Sequence, residues 1–326
     1  MKGKQLCGIA LASILILSGC SSTVQENGKD VLASIDGKSI LADDVYTSLS
    51  SSKSGQTVLF NYVLEKLVEE KFPVTSDMKE NASQIIENIQ ANYKSQYGDE
   101  ADAQLESALA QGGYKDIDAY EQSLIQSLQY SEFIKKYVKD NFDEVYDDYY
   151  KQESPRIMSI IKVSMNDVSN PTSEETEKLK EVQNLLKTDK SFADIATSYS
   201  DDSSSNAKGN IGVVDSTLDL TSKYGEDVEK AAFSLKEGKV SKGIKGTDGY
   251  YFLHCVSTDK AKIKEELKTV DIDSPLLAYD NYLMYFAFNS YKLTYKDDNM
   301  KKQVETVVNE ALKAREEERG NSKWKN

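Results

Sequence analysis

The chain has 326 residues, with 54 acidic against 40 basic side chains and a net charge of −14. That balance argues against nucleic acid and against an anionic membrane surface as partners, since both attract clustered positive charge. The length suggests two domains rather than one, and a hydrophobic content of 39% supplies material for folded cores.

In chain order, the first element is an address. Lys2 and Lys4 precede the apolar run LCGIALASILIL at 6–17. This run is too short to cross ~30 Å of hydrocarbon as a helix, and it suits a signal peptide. LSGC at 17–20 matches the bacterial lipobox, which makes 1–19 a lipoprotein signal and 20–30 a tether. Cys20 is then the acylated residue, and the mature chain is expected outside the cytoplasmic membrane with the lipid as its attachment. Cys7 leaves with the signal, so Cys255 is left without a partner for an intrachain disulfide or a cysteine metal site.

VLASIDGKSI at 31–40 alternates as strand, turns at Asp36-Gly37 and leads into a helix near Ala42. From there to about 150 the pattern is helical. FNYVLEKLVEEKF puts Val63, Leu64, Leu67, Val68 and Phe72 on one face, and Pro73 stops it. Ser76 or Asp77 is positioned to cap the next helix, whose stripe is Ile85, Ile86, Ile89 and Tyr93. Gly98 and Gly112-Gly113 punctuate two more helical segments. A further stripe runs through Leu124, Leu128, Phe133 and Tyr137.

The texture changes at Pro155. RIMSIIKVSM reads as a strand, and helices are predicted at 174–187 and over SFADIATSYS. SDDSSSNAKGNIG at 200–212 reads as a loop. EDVEKAAFSL reads as a short helix, and KVSKGIKG and GYYFLHCV as strands around a Thr-Asp-Gly turn. These make an α/β module at 154–258. The tail returns to helix, with Val304, Val307, Val308, Ala311 and Leu312 on one face.

The module resembles a parvulin, the small peptidyl-prolyl isomerase domain. The blocks that carry the resemblance occur in order: FADIATSYSDDSS at 192–204, GNIG at 209–212, AAFSLKEGKVS at 231–241 and GYYFL at 249–253. With a lipobox, a V-x-x-I-D-G-K-x-I entry and helices on both sides, the chain resembles the PrsA-type foldase lipoproteins and, more distantly, SurA-type chaperones. The resemblance implies an α+β fold: a mostly helical chaperone domain with the α/β module inserted into it. That domain would combine 31–150 with C-terminal helices at 270–318, and 319–326 would form a solvated tail. It also implies no cofactor and no metal, unfolded exported proteins as partners, and a homodimer through the helical domain.

Parvulins carry two histidines on adjacent strands. On this sequence those positions fall on Ser159 and Tyr251, and the polar residue facing the substrate amide falls on Asp202, which is retained. The proline-pocket positions fall on Val213, Val214, Tyr224 and Val228, with Phe233 surviving from AAF. The resemblance therefore implies a site in which Ser159, Tyr251 and Asp202 hydrogen-bond in place of the histidines, with isomerase activity reduced or lost. His254 is the single histidine of the chain. It lies three residues past Tyr251, so strand alternation turns it to the opposite face. Cys255 shares Tyr251's face but sits toward the strand end, as a core or rim thiol.

Three other readings stand beside the folding factor. A pure holdase differs from it only in the site. A solute-binding lipoprotein would show two α/β lobes, against the helical pattern of the first half. An envelope scaffold using its twenty tyrosines on wall polymer is disfavoured by their core-like helical spacing. No paired carboxylates, metal-ligand cluster or phosphate-binding glycine loop stands out, and NFDEVYDDYY lacks the ligand spacing of a calcium loop.

Overall fold

The computed structural model describes residues 24–320. The signal, the lipobox and Cys20 lie outside the described residues, as do 321–326 of the expected tail. The chain divides into two compact units, one built from residues up to Ile134 together with Tyr282 onward, the other from Lys135–Asn281.

The first unit opens with β1 (Gln25–Glu26), β2 (Lys29–Ile35) and β3 (Lys38–Leu41), a three-stranded antiparallel sheet. Both turns use a residue with positive φ followed by glycine: Asn27-Gly28 at 54° and 77°, and Asp36-Gly37 at 48° and 78°. This is the pairing that two-residue hairpins favour, because it matches the twist of the strands. The expected tether at 20–30 is therefore folded from Gln25 onward, where the backbone finds partners across Asn27-Gly28.

Five helices come next: α1 (Ala42–Ser51), α2 (Lys53–Lys71), α3 (Ser76–Tyr97), α4 (Ala101–Gln111) and α5 (Ile117–Asp140). Gly55 lies where α2 passes the end of α1, and a Cβ there would meet the Leu49 carbonyl oxygen at 2.1 Å. The cap of α3 is Thr75, one residue before the expected Ser76, its side chain accepting from the Met78 N–H at 3.2 Å. The Gln129 side chain, on α5, donates to the Phe72 carbonyl at 2.7 Å and satisfies the end of α2.

The second unit takes the end of α5 from Lys135, then α6 (Phe142–Glu153), β4 (Arg156–Ser164), α7 (Ser173–Leu185), α8 (Phe192–Tyr199) and β5 (Asn210–Val214). It continues through α9 (Leu220–Tyr224), α10 (Glu226–Ser234), β6 (Ile244–Lys245), β7 (Gly249–Ser257) and α11 (Lys260–Leu267). The strands form one antiparallel sheet in the order β5-β4-β7-β6. Met158, Ile160, Tyr251, Leu253 and Cys255 pack on one face with Tyr224 and Val228. Ile161, Val163 and Phe252 pack on the other with Val182 and Ile195. β5 and α9 occupy ground that composition alone leaves as loop.

The chain then returns to the first unit with α12 (Leu283–Asn289) and α13 (Asp298–Gly320). Phe60 on α2 stacks against Tyr285 and meets Phe288 edge-on, with centroids 5.3 and 5.1 Å away. Val304 and Val308 on α13 are buried, and Lys53 pairs with Glu310 at 2.9 Å.

Two expected boundaries move. The second unit extends well beyond 154–258, because α6 and the stretch after β7 are tied to it. Tyr149 donates to Asp215 at 2.6 Å and Tyr150 donates to the Thr258 carbonyl at 2.7 Å, with Asp215 fully buried. Residues 270–281 also stay with this unit: Leu276 is fully buried and Tyr279 meets Tyr149 edge-on at 5.4 Å. The C-terminal return to the helical unit starts at Tyr282 rather than at 270.

Candidate functional site

Antiparallel pairing decides which residues share a face, since directly opposed residues point the same way and neighbours along a strand point opposite ways. Ser159 is opposed by His254 on β7, whereas Tyr251 is opposed by Lys162 on β4. Ser159 and Tyr251 therefore lie on opposite faces of the sheet, and the hydrogen-bonded trio of Ser159, Tyr251 and Asp202 does not form. The β4 residue diagonal to Tyr251 on its own face is Ile160, fully buried and opposed by Leu253.

Tyr251 is 1% exposed and sends its hydroxyl to Asp248, in the turn between β6 and β7. The other oxygen of Asp248 pairs with the Lys162 ammonium at 2.5 Å. The lysine, then the tyrosine hydroxyl, hold the Asp248 carboxyl below the ordinary carboxylate range. Burial, reinforced by the bond to Asp248, raises the Tyr251 phenol above its ordinary value, so it stays protonated and donates. Sequence reasoning misses this Lys162–Asp248–Tyr251 chain. Its signal is a lysine inside the apolar run RIMSIIKVSM, on the same alternation as Met158 and Ile160.

The residues expected to form a proline pocket come together, but as core. Tyr224 meets the Tyr251 ring edge-on at 5.4 Å, and Val214, Tyr224 and Val228 join it in one buried cluster. Exposures of 4% for Tyr224 and 1% for Val228 leave these side chains solvent-excluded. Val213 is next to Val214 on β5 and turns to the other face. Phe233 packs at the edge of the cluster, beneath the Arg156 guanidinium at 5.5 Å. The turn after β6 closes against α9: the Thr247 N–H donates to the Tyr224 carbonyl at 3.2 Å, and Gly246 sits against the Tyr251 ring.

Asp202 is buried and spends its carboxylate on the local backbone, accepting from the Ser204 N–H at 2.9 Å as the cap of the turn at 203–207. Tyr251 is bonded to Asp248 instead. The Lys223 ammonium lies 4.8 Å over the Tyr224 ring.

His254 and Ser159 face a cleft of about 850 Å³ on the opposite side, walled by α8 and α11. The His254 ring lies 5.3 Å from Phe192, and burial lowers its pKa from the ordinary histidine value, which favours the neutral ring. Cys255 points the other way, fully buried, and burial raises its thiol pKa. The adjacent histidine and thiol thus project to opposite faces of one strand and do not form a catalytic pair.

Residues 160–257 match the family model described as the PPIC-type PPIASE domain, Rotamase. The foldase protein PrsA of Staphylococcus epidermidis is 30% identical over 312 residues, covering 91% of this chain and 89% of that protein. The PrsA foldase of Staphylococcus aureus strain Newman is 27% identical over 306 residues, with 91% and 90% covered. This chain belongs to the PrsA foldase family. The crystal structure of PrsA from Bacillus subtilis covers 84% of this chain and 98% of its own, at 22% identity and a TM-score of 0.37.

The domain match within this PrsA-family chain begins at Ile160. That is the residue which strand pairing sets diagonally beside Tyr251. A pair of side chains on adjacent strands that share one groove must share a face, which Ser159 and Tyr251 do not, whereas Ile160 and Tyr251 do. Ile160 is aliphatic and fully buried, so it brings no hydrogen-bonding group to the face that Tyr251 occupies.

Proposed function

We propose that this PrsA-family chain is a folding factor for exported proteins, held outside the cytoplasmic membrane by a lipid on Cys20, which acts by holding unfolded polypeptide and isomerises prolines poorly. The observation that carries this reading is similarity along nearly the whole length to proteins described as foldases, 30% identical over 91% of the chain in one case. The LSGC motif supports the anchor, and among the described residues no helix is long and apolar enough to cross a membrane. A Cys20→Ala chain is expected to be released from the membrane or left unprocessed. Normal processing with membrane retention would remove the anchor.

Holding is supported by the face of α3. Met78 and Ala82 are buried, but Ile86, Ile89 and Tyr93 are only partly covered, and Ile85 is 40% exposed. A one-sided helix normally hides such a stripe, and an incompletely covered one offers apolar area to an unfolded chain. Weak isomerisation is supported by the burial of Tyr224, Val228 and Tyr251 and by Ile160 beside Tyr251. The mature chain should suppress aggregation of a chemically denatured protein diluted into buffer. Replacing Ile85 and Ile89 together by Asp should raise the concentration needed by about tenfold, the equivalent of roughly 1.4 kcal/mol of lost apolar contact. Full suppression by that variant would remove α3 from the holding surface.

A further inference from the structure

The cleft under His254 belongs to neither the isomerase pattern nor the client-holding face of α3. Its floor is the cross-strand pair Ser159 and His254, with Asn210 beside them on β5. Ser159 is 7% exposed, yet neither its hydroxyl nor the His254 ring has a hydrogen-bond partner within the protein among the described residues. His254 is half-buried and both side chains open onto the cleft, so their hydrogen-bonding capacity is available there to a ligand or to water. Asn210 spends its carbonyl oxygen on the Gly212 N–H at 2.9 Å, which leaves its amide NH₂ as a third group able to donate into the cleft.

The walls are apolar: Ile157, Phe192, Val256 and Ala261. Lys208 and Lys262 stand at the rim with Glu265 and Glu266, so neither sign of charge prevails. A volume of about 850 Å³ is within the range of sites that enclose whole ligands, roughly 300–1,000 Å³. An apolar chamber with a donor and two donor–acceptor groups on its floor complements a peptide unit bearing a large apolar side chain. The amide carbonyl and N–H meet Ser159, His254 and Asn210, and the side chain packs against Phe192. A neutral rim suits an uncharged segment better than a phosphate or a carboxylate ligand.

We propose that this cleft is a second polypeptide-binding site, taking an extended segment through an aromatic or large aliphatic residue, on the sheet face opposite the buried Tyr251 cluster. It rests on the reading of the chain as a handler of unfolded protein. Because His254 is the single histidine of the chain, its ring signals in an NMR spectrum of the full mature protein report on this cleft alone.

The probe is a short fluorescein-labelled peptide with a Phe-Phe pair among alanines and serines. Its control carries aspartates in place of the phenylalanines. The Phe peptide should move the His254 ring signals along a saturable curve, and the control should leave them in place. Ala261→Trp, at an exposed position of the α11 wall, should weaken the binding seen at His254 by at least about tenfold with the thermal unfolding curve unchanged. Ser159→Ala, which removes one floor hydroxyl without adding volume, should weaken it several-fold. His254 signals that stay fixed while the peptide saturates the chain would overturn the site, as would wild-type affinity in Ala261→Trp. Suppression of aggregation by a chain whose His254 ignores the peptide would sink this cleft and leave the folding-factor reading standing. Saturable binding at His254 in a chain that suppresses no aggregation would do the opposite.

Discussion

Phe60→Ala should destabilise the helical unit by about 3–5 kcal/mol, the range for removing a fully buried aromatic side chain from a packed core. Phe60 is 0% exposed and lies between Tyr285 and Phe288, stacked on the first at 19° and edge-on to the second at 67°. The partners are more than two hundred residues further along the chain, after the whole second unit in sequence. The substitution thus tests whether the N-terminal helices and α12 share one core. Urea unfolding of the mature chain, followed by far-ultraviolet circular dichroism, gives the number. Phe288→Ala added to it should cost less than the two losses summed, because the second truncation borders a cavity already made. A loss below about 1 kcal/mol from Phe60→Ala, within the range of ordinary substitutions away from packed cores, would mean that the two segments do not depend on each other.

Gly246→Ala should cost about 3 kcal/mol, the upper end of what overpacking usually produces. A Cβ at this position would stand 2.3 Å from the Tyr224 carbonyl oxygen and 2.4 Å from the Tyr251 ring. Backbone and a wedged aromatic ring are the obstacles, so no flexible side chain can swing away to make room. The turn must lift, which strains the Thr247 to Tyr224 hydrogen bond and loosens the cover over Tyr251. Thermal unfolding of the mature chain measures the loss. Wild-type stability in this variant would show that the turn is not packed down on the tyrosines.

The sequence made the periodic elements legible wherever local chemistry decides them. Asp36-Gly37 marks a hairpin turn because only a residue tolerant of positive φ fits there, and the structure has φ of 48° and 78°. Leu64, Leu67 and Val68 are buried as their spacing on α2 indicates. The opposite faces of His254 and Tyr251 follow from alternation, which the unbroken pairing of β4 with β7 over residues 249–255 preserves. What sequence does not carry is register between strands. Reading β4 one residue out exchanges Ser159 for Ile160 and moves the position to the other side of the sheet. The buried state of Tyr224 was equally hidden, because it depends on Gly246 and Tyr251, distant in sequence, closing over it. Unit boundaries suffered for a similar reason: Tyr149, Tyr150 and Leu276 look like any apolar helical residues until Asp215 and Thr258 are found opposite the tyrosines.

Assistance of folding without an efficient prolyl-isomerase site, as proposed, is tested most directly by the kcat/KM of the mature chain on a short proline peptide. The uncatalysed step crosses a barrier of about 18–20 kcal/mol, and lowering it requires groups that meet a twisted amide better than a planar one. On the proposed reading, the residues available for that task are Ile160, which cannot hydrogen-bond, and Tyr251, already bonded to Asp248, while Tyr224 and Val228 are packed as core beside them. The account predicts a kcat/KM at least about a hundredfold below that of a parvulin with both histidines, or roughly 2.7 kcal/mol of lost transition-state stabilisation. It also predicts that Tyr251→Phe and Asp202→Ala change the residual rate little. A rate in the ordinary parvulin range, abolished by either substitution, would contradict it.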